Sequence, residues 1–282
     1  MGVLARLFIT IPWSPVALQL GALHVRWYGI SYAVAFLVGG WVAVGHVMRR
    51  GIAEDLANRI VFYCIVVGLI GARLYFVVQS NVLWYLQHPQ HILAAWEGGM
   101  AFFGAIFGAV ATLIVVAWRR HLNFWDLLDA AVLFAAVGQP IGRIGNFMNG
   151  EILGPPSDLP WAVAYTNPQT MAPQLGTPYQ PANVYEGLAA LCILGALLLL
   201  RRRGVASGML GIVYMVLYPV SQLIVFYWRT DSETPAIFLG LKQAQLTSIA
   251  VLVLAVPVLV VVWMRTRHSE PSPPITEPAP AG

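Results

Sequence analysis

Charge is scarce in this chain. Asp, Glu, Lys and Arg make up 10% of its 282 residues, against roughly 25% in a soluble domain, while 59% of the residues are hydrophobic. A water-soluble fold of this length cannot hide so much apolar surface, so a soluble enzyme or carrier is excluded. Cysteine is nearly absent too. Cys64 and Cys192 both fall inside apolar runs, which argues against a disulfide framework and a cysteine metal centre and predicts two small buried packing residues. The basic residues form no patch, so a net charge of +4 does not point to nucleic acid. Short alternating apolar runs are missing, which argues against a membrane β-barrel. No internal repeat is visible, which weakens a transporter or channel reading. The stretch from Met1 to Pro15 has no small-residue cleavage site and reads as a mature interfacial segment.

What the chain does have is long apolar runs. A membrane-crossing helix needs about 20 mostly apolar residues. Seven stretches qualify, at about 27–48, 58–78, 98–118, 124–146, 183–200, 207–228 and 244–264. Only helices and closed barrels satisfy their backbone in hydrocarbon, so an all-α membrane protein with seven transmembrane helices is expected. Glycines and tryptophans suit that setting, the former for close helix approach and the latter as interface anchors.

Orientation follows from the connections. Arg49, Arg50 and Arg59 flank the first link, Arg119 and Arg120 the third, and Arg201, Arg202 and Arg203 the fifth, while Arg265 and Arg267 follow the last span. That places ten of the sixteen basic residues on one side, and the second and fourth links hold none. The positive-inside rule then puts the N-terminus outside and the C-terminus in the cytoplasm. The organisation expected is an interfacial segment over 1–26, a seven-helix domain over 27–268 and a disordered cytoplasmic tail over 269–282. Residues 147–182 carry seven prolines and are expected to form a small, irregular, outward-facing cap between helices four and five. The tail, Ser269 to Gly282, has five prolines and little apolar bulk, too little to fold alone.

Polar groups inside the spans then stand out, because an ionisable side chain near a helix centre costs about 2.5 to 3.5 kcal/mol on insertion scales. Arg73 lies late in the second span, either snorkelling to the interface or buried and facing a phosphate. The fourth span ends in Gly138-Gln139-Pro140-Ile141-Gly142-Arg143-Ile144-Gly145-Asn146-Phe147-Met148-Asn149-Gly150-Glu151. Pro140 is expected to break the helical ladder, and Arg143, Asn146, Asn149 and Glu151 follow at nearly helical spacing. An arginine there calls for an anion, and a planar guanidinium suits a phosphate diester or a carboxylate. Glu151 is the expected resting partner and the two asparagines are expected to bind hydroxyls. The competing reading is a structural ion pair pinning two helices. Asp126 and Asp129 read as interfacial or helix N-terminal charges, and Trp27 to Tyr32 as an interface belt or a ligand-facing hydroxyl set. Glu186 reads equally as a membrane-embedded carboxylate or a helix-start acid.

The string Gly142 to Glu151 resembles the signature G-R-x-G-N-F-x-N-x-E of the prolipoprotein diacylglyceryl transferases. The surroundings agree: Ile11-Pro12 and Ser14-Pro15 before Trp27-Tyr28-Gly29, Gly71 to Leu74, Gly98-Gly99-Met100, and Pro181 with Tyr185-Glu186. The resemblance runs over residues 9–264. It implies an enzyme of the bacterial inner membrane, open to the outer leaflet. Phosphatidylglycerol is the donor, the lipobox cysteine of a prolipoprotein signal peptide the acceptor, and glycerol phosphate leaves as a thioether forms. By the same resemblance, Arg143 holds the lipid phosphate and Asn146 and Glu151 shape its pocket, which Tyr28 lines. Arg143, Glu151 and Tyr28 are then the catalytic set. Asn146, Asn149, Gly145, Arg73, Tyr218 and Glu186 join Arg143 as lipid contacts. No metal or organic cofactor is implied.

The chain departs from the family pattern at three places. Phe103 stands where a histidine is usual in the third span, Gln222 and Phe226 where an arginine and a glutamate are usual in the sixth, and Gln180-Pro181-Ala182-Asn183-Val184-Tyr185-Glu186 stands for H-P-S-Q-L-Y-E near the fifth, with Arg143, Arg73, Arg229 and Tyr218 left to hold the leaving charge. The alternative function is therefore a non-catalytic or repurposed phospholipid-binding paralogue.

Overall fold

The computed structural model describes residues 8–21, 23–94, 98–229 and 236–268; the expected tail at 269–282 lies outside the described residues. Seven of the described helices are long and apolar enough to cross a membrane, and they match the seven expected runs. They are α1 (Trp27–Arg49), α2 (Glu54–Gln79), α4 (Phe102–Arg120), α5 (Phe124–Asn149), α6 (Ala182–Arg202), α7 (Met209–Val225) and α8 (Gln243–His268). A short helix, α3 (Val82–Gln87), sits between α2 and α4.

The bundle is built around α5, the most buried of the seven. It packs along α1 on one side and along α6 and α7 on the other, while α2 pairs with α4 and α8 leans on α7. One apolar cluster joins α1, α2, α4 and α5 through Ala43, Val47, Ile60, Leu113 and Leu127. A second joins α5, α6 and α7 through Leu133, Ile193, Leu197 and Leu210. Without a hydrophobic drive between helices in lipid, contact distance matters most, and small residues permit it. A Cβ built on Gly104 would lie 2.3 Å from the Gly71 carbonyl oxygen, and one on Gly71 would lie 2.4 Å from that of Gly104. Only glycine allows α2 and α4 to touch backbone to backbone there.

Pro140 does not break its helix. α5 runs through it to Asn149, because the proline removes one donor while packing on both sides holds the remaining turns. The helix ends where Gly150 turns left-handed, at φ 77°, and its N–H caps the carbonyls of Asn146 and Phe147.

The segment after α5 is more ordered than its prolines suggest. β1 (Ile9–Ile11) pairs in parallel with β4 (Val163–Tyr165), which pairs antiparallel with β5 (Pro178–Tyr179). Ile11, Leu153, Val163, Tyr165 and Tyr179 form its own small core. Proline 178 is tolerated because a short edge strand needs few N–H donors. The Tyr165 hydroxyl donates to the Phe147 carbonyl at 2.6 Å, fastening the cap to the end of α5. Burial pushes this phenol well above its ordinary range, so it remains a donor. β2 (Val16–Leu20) and β3 (Leu23–Arg26) form a hairpin leading into α1, and exposed Trp13, Leu18 and Leu20 suit an interface. β6 (Ala236–Phe238) and β7 (Leu241–Lys242) precede α8.

The cysteine expectation needs correction. Cys192 is exposed on the surface of α6 and Cys64 is half-buried, so neither is a fully buried packing residue. In lipid, an exposed thiol meets acyl chains and has no need to be covered.

Replacing Gly104 with valine is expected to force α2 and α4 apart at a cost of about 1 to 3 kcal/mol. Thermal unfolding in detergent should show a clear drop in midpoint for Gly104→Val. Gly195→Ala, where an added Cβ meets nothing within 4 Å, should be unchanged.

Candidate functional site

The last two turns of α5 carry a run of linked polar groups. Arg143 donates from Nη1 to Asn146 Oδ1 at 3.0 Å, and Asn146 Nδ2 donates to Glu151 Oε2 at 2.9 Å. The other end of the guanidinium, Nη2, is ion-paired with Glu186 Oε2 near the start of α6. Glu186 also faces Arg229 Nη1 at 3.5 Å. Its side chain is 2% exposed, against 26% for Arg143, so the carboxylate is sealed in and the guanidinium is half open. Arg143 uses two of its five N–H donors in these contacts.

Beside Arg143 lies a narrow cleft of about 10 Å³ between α5, α6 and α7, lined by Gln139, Arg143, Glu186, Tyr218, Ser221 and Gln222 among others. Polar lining of this density inside an apolar bundle marks a ligand pathway more often than packing. Tyr218 is stacked on Tyr214 at a ring separation of 5.4 Å, which fixes its ring at the cleft wall. Tyr28, at the start of α1, meets Tyr32 in a tilted ring contact at 4.7 Å and lies within electrostatic reach of Glu151 and Arg143. Gly145 is what lets α1 come so near: a Cβ there would sit 3.1 Å from the Tyr28 Cα and 3.0 Å from the Ser31 Cβ.

Several expectations change in the folded chain. The resting partner of Arg143 is Glu186, and Glu151 reaches it only through Asn146. The reason is topological, since α6 packs along α5 and sets Glu186 against Arg143, whereas Glu151 lies past the end of the helix. Asn149 turns the other way. Its Oδ1 accepts from Arg26 Nη1 at 3.0 Å and its Nδ2 approaches Met171 Sδ at 3.3 Å, so it stitches the N-terminal hairpin and the cap to α5.

Arg73 does not snorkel; it is buried, and its partners are backbone carbonyls. It is 3% exposed, and its three nitrogens donate to four backbone carbonyls: Ile92 at 2.9 Å, His91 at 2.6 Å, Gly98 at 2.5 Å and Gly99 at 3.1 Å. Irregular backbone at membrane depth must find donors, and this guanidinium supplies them to the link after α3. Its rings of contact, Phe76 and Tyr85, each lie 5.6 Å from Cζ.

The departures from the signature also acquire a physical setting. Phe226 lies under Arg229, whose Cζ is 5.1 Å from the ring centroid, so the aromatic takes a cation–π role beside the Glu186 pair. Gln222 is buried at the cleft. Phe103 is half exposed on the first turn of α4. Two residues that the sequence reading passes over belong to this region. Gln139 lines the cleft, and Lys242, the only lysine in the chain, is buried with its ammonium donating to the Arg229 carbonyl. A lone lysine on an otherwise weakly basic side was the available signal.

A family model described as prolipoprotein diacylglyceryl transferase matches residues 15–262. A protein of Bacillus velezensis named phosphatidylglycerol–prolipoprotein diacylglyceryl transferase is 35% identical over 252 residues, covering 88% of this chain and 92% of its own length. One of the same name from Bacillus licheniformis is 36% identical over 247 residues, covering 86% and 90%. Another, from Rhodospirillum centenum, is 33% identical over 277 residues and covers 95% of both chains.

Because a single ammonium cannot reach four diverging carbonyls, Arg73→Lys is expected to lower the thermal midpoint and open residues 88–94 to protease. A variant that stayed as stable and as protected as the parent would contradict this structural assignment.

Proposed function

We propose, from the premise that this chain belongs to the prolipoprotein diacylglyceryl transferase family, that it moves the diacylglyceryl group of phosphatidylglycerol onto the lipobox cysteine of a prolipoprotein. The observation that carries the reading for this chain is the state of Arg143. It is anchored at two donors, keeps three more, and borders a polar cleft within an apolar bundle.

The chemistry asks for little else. The thiol loses its proton and the sulfur attacks the glyceryl carbon of the lipid. The carbon–oxygen bond to phosphate breaks, and glycerol phosphate departs with the bonding electrons as the thioether forms. A thiol with a free pKa of about 8.5 must first become a thiolate. The leaving phosphate is stabilised by cationic donors held ready in a water-poor site, which act more strongly there than in water. In this reading Arg143 holds the phosphate. Glu186 and Asn146 fix the plane of its guanidinium, and Arg229, stacked on Phe226, adds the second positive charge that Gln222 no longer supplies. Glu151 fixes Asn146, and Tyr28 closes the side toward α1.

Topology supports the same reading. Arg49, Arg119, Arg120, Arg201 and Arg202 all lie in last turns of α1, α4 and α6, where they also suit the helix dipole. With that end in the cytoplasm of a bacterial inner membrane, Arg143 and the cap lie toward the outer leaflet, where lipid and secreted precursor meet. Reporter fusions should place the residues after 268 inside and the cap outside.

Purified protein with phosphatidylglycerol vesicles should shift a lipobox peptide by the mass of a diacylglyceryl group. Arg143→Ala should lower kcat/KM about 10- to 100-fold, as expected for one lost charge-assisted contact. Full activity in that variant would remove the phosphate clamp, and binding of the lipid without any peptide shift in the parent protein would favour the non-catalytic alternative.

A further inference from the structure

The other end of α5 holds a second group of polar side chains, roughly 20 to 25 Å along the helix from Arg143 at 1.5 Å per residue. It owes nothing to the transferase reading. His46, on the last turns of α1, is 3% exposed, and neither of its ring nitrogens has a hydrogen-bond partner. Such a group is expensive, since a buried polar atom left unsatisfied costs about 1 to 3 kcal/mol. Asp126 and Asp129 lie three residues apart on one face of α5, and both are buried. One ligating atom from each of His46, Asp126 and Asp129 falls within 4.8 Å of the others.

The carboxylates are oriented from behind. Asp126 Oδ1 accepts from Ser207 Oγ at 2.7 Å and pairs with Arg50 Nε at 3.1 Å. Asp129 accepts from the backbone N–H groups of Gly208 and Gly211, both at 2.8 Å, at the start of α7. Donors of this kind surround ligating carboxylates in metal centres and fix their direction. Of the two readings, interfacial or helix N-terminal charges, the second fits: Asp126 lies in the first turn of α5, and Asp129, fully buried, accepts from the N-terminus of α7.

We propose that His46, Asp126 and Asp129 form a divalent transition-metal site that ties α1 to α5 and, through the glycines, to α7. The donor set selects the metal. An imidazole with two carboxylates suits Zn²⁺ or Mn²⁺ and disfavours Ca²⁺, which takes oxygen ligands alone. Arg50 and Arg201, which both lie within electrostatic reach of His46, offset the two aspartates. Affinity consequently comes from the imidazole bond more than from net charge, and removing the imidazole should be decisive.

Tag-free, full-length protein in detergent, stripped with chelator and desalted, provides the test. After incubation with ZnCl₂ and a second desalting, the parent should retain a single equivalent of zinc by elemental analysis, and its thermal midpoint should rise. His46→Phe should retain none and show no rise, and Asp126→Asn should bind at least about 10-fold more weakly, the equivalent of about 1.4 kcal/mol. If His46→Phe fails to fold, the Asp126→Asn comparison decides alone. Absence of retained zinc in the parent, or equal retention in parent and variants, overturns the site.

Discussion

A carboxylate sealed between two guanidinium groups is the constraint on which the outer half of this bundle depends. Glu186 is almost fully buried, and a buried charge left unpaired costs several kcal/mol. Its pairing with Arg143 and Arg229 therefore fixes more than two side chains. It sets the rotation of α6 against α5 and holds the segment after α7 against the start of α6. Lys242 at the head of α8 adds its own tether by donating to the Arg229 carbonyl, and Gln245 Nε2 donates to the Leu223 carbonyl at 3.2 Å. A cleft with charged walls survives in lipid because Arg143, Glu186 and Arg229 pair with one another.

The same logic explains the division of labour among the arginines. Arg73 and Arg143 both sit in apolar helices, yet they do different work. Arg73 gives all three nitrogens to backbone carbonyls of an irregular link, while Arg143 keeps donors in reserve next to a cleft. Irregular backbone in a membrane protein needs such service, because no water is at hand to supply it. The cap needs less, since its strands pair with each other and with the N-terminal strand β1.

Much of the architecture was legible in residue order. Seven apolar runs gave seven helices with ends within a few residues of those expected, because length and hydropathy alone decide what can cross a bilayer. The cluster Arg143, Asn146 and Glu151 was legible for a related reason: polar groups in an apolar setting announce themselves. The strands of the cap were not, because β1 and β4 are separated by more than 150 residues and each is only three residues long. Nor was His46, a single histidine among apolar neighbours whose unmet nitrogens become visible only once α1 is laid on α5.

The sequence by itself determined that this protein lives in a membrane, which segments cross it, and that a guanidinium stands at position 143. Those properties are local, set by the free energy of transferring each segment from water to lipid. Only the tertiary structure decided which acid Arg143 pairs with, that Asn149 serves the cap, and that Arg73 serves the backbone. Those choices depend on which helices touch and at what rotation, and such contacts arise between residues whose distance along the chain carries no record of them.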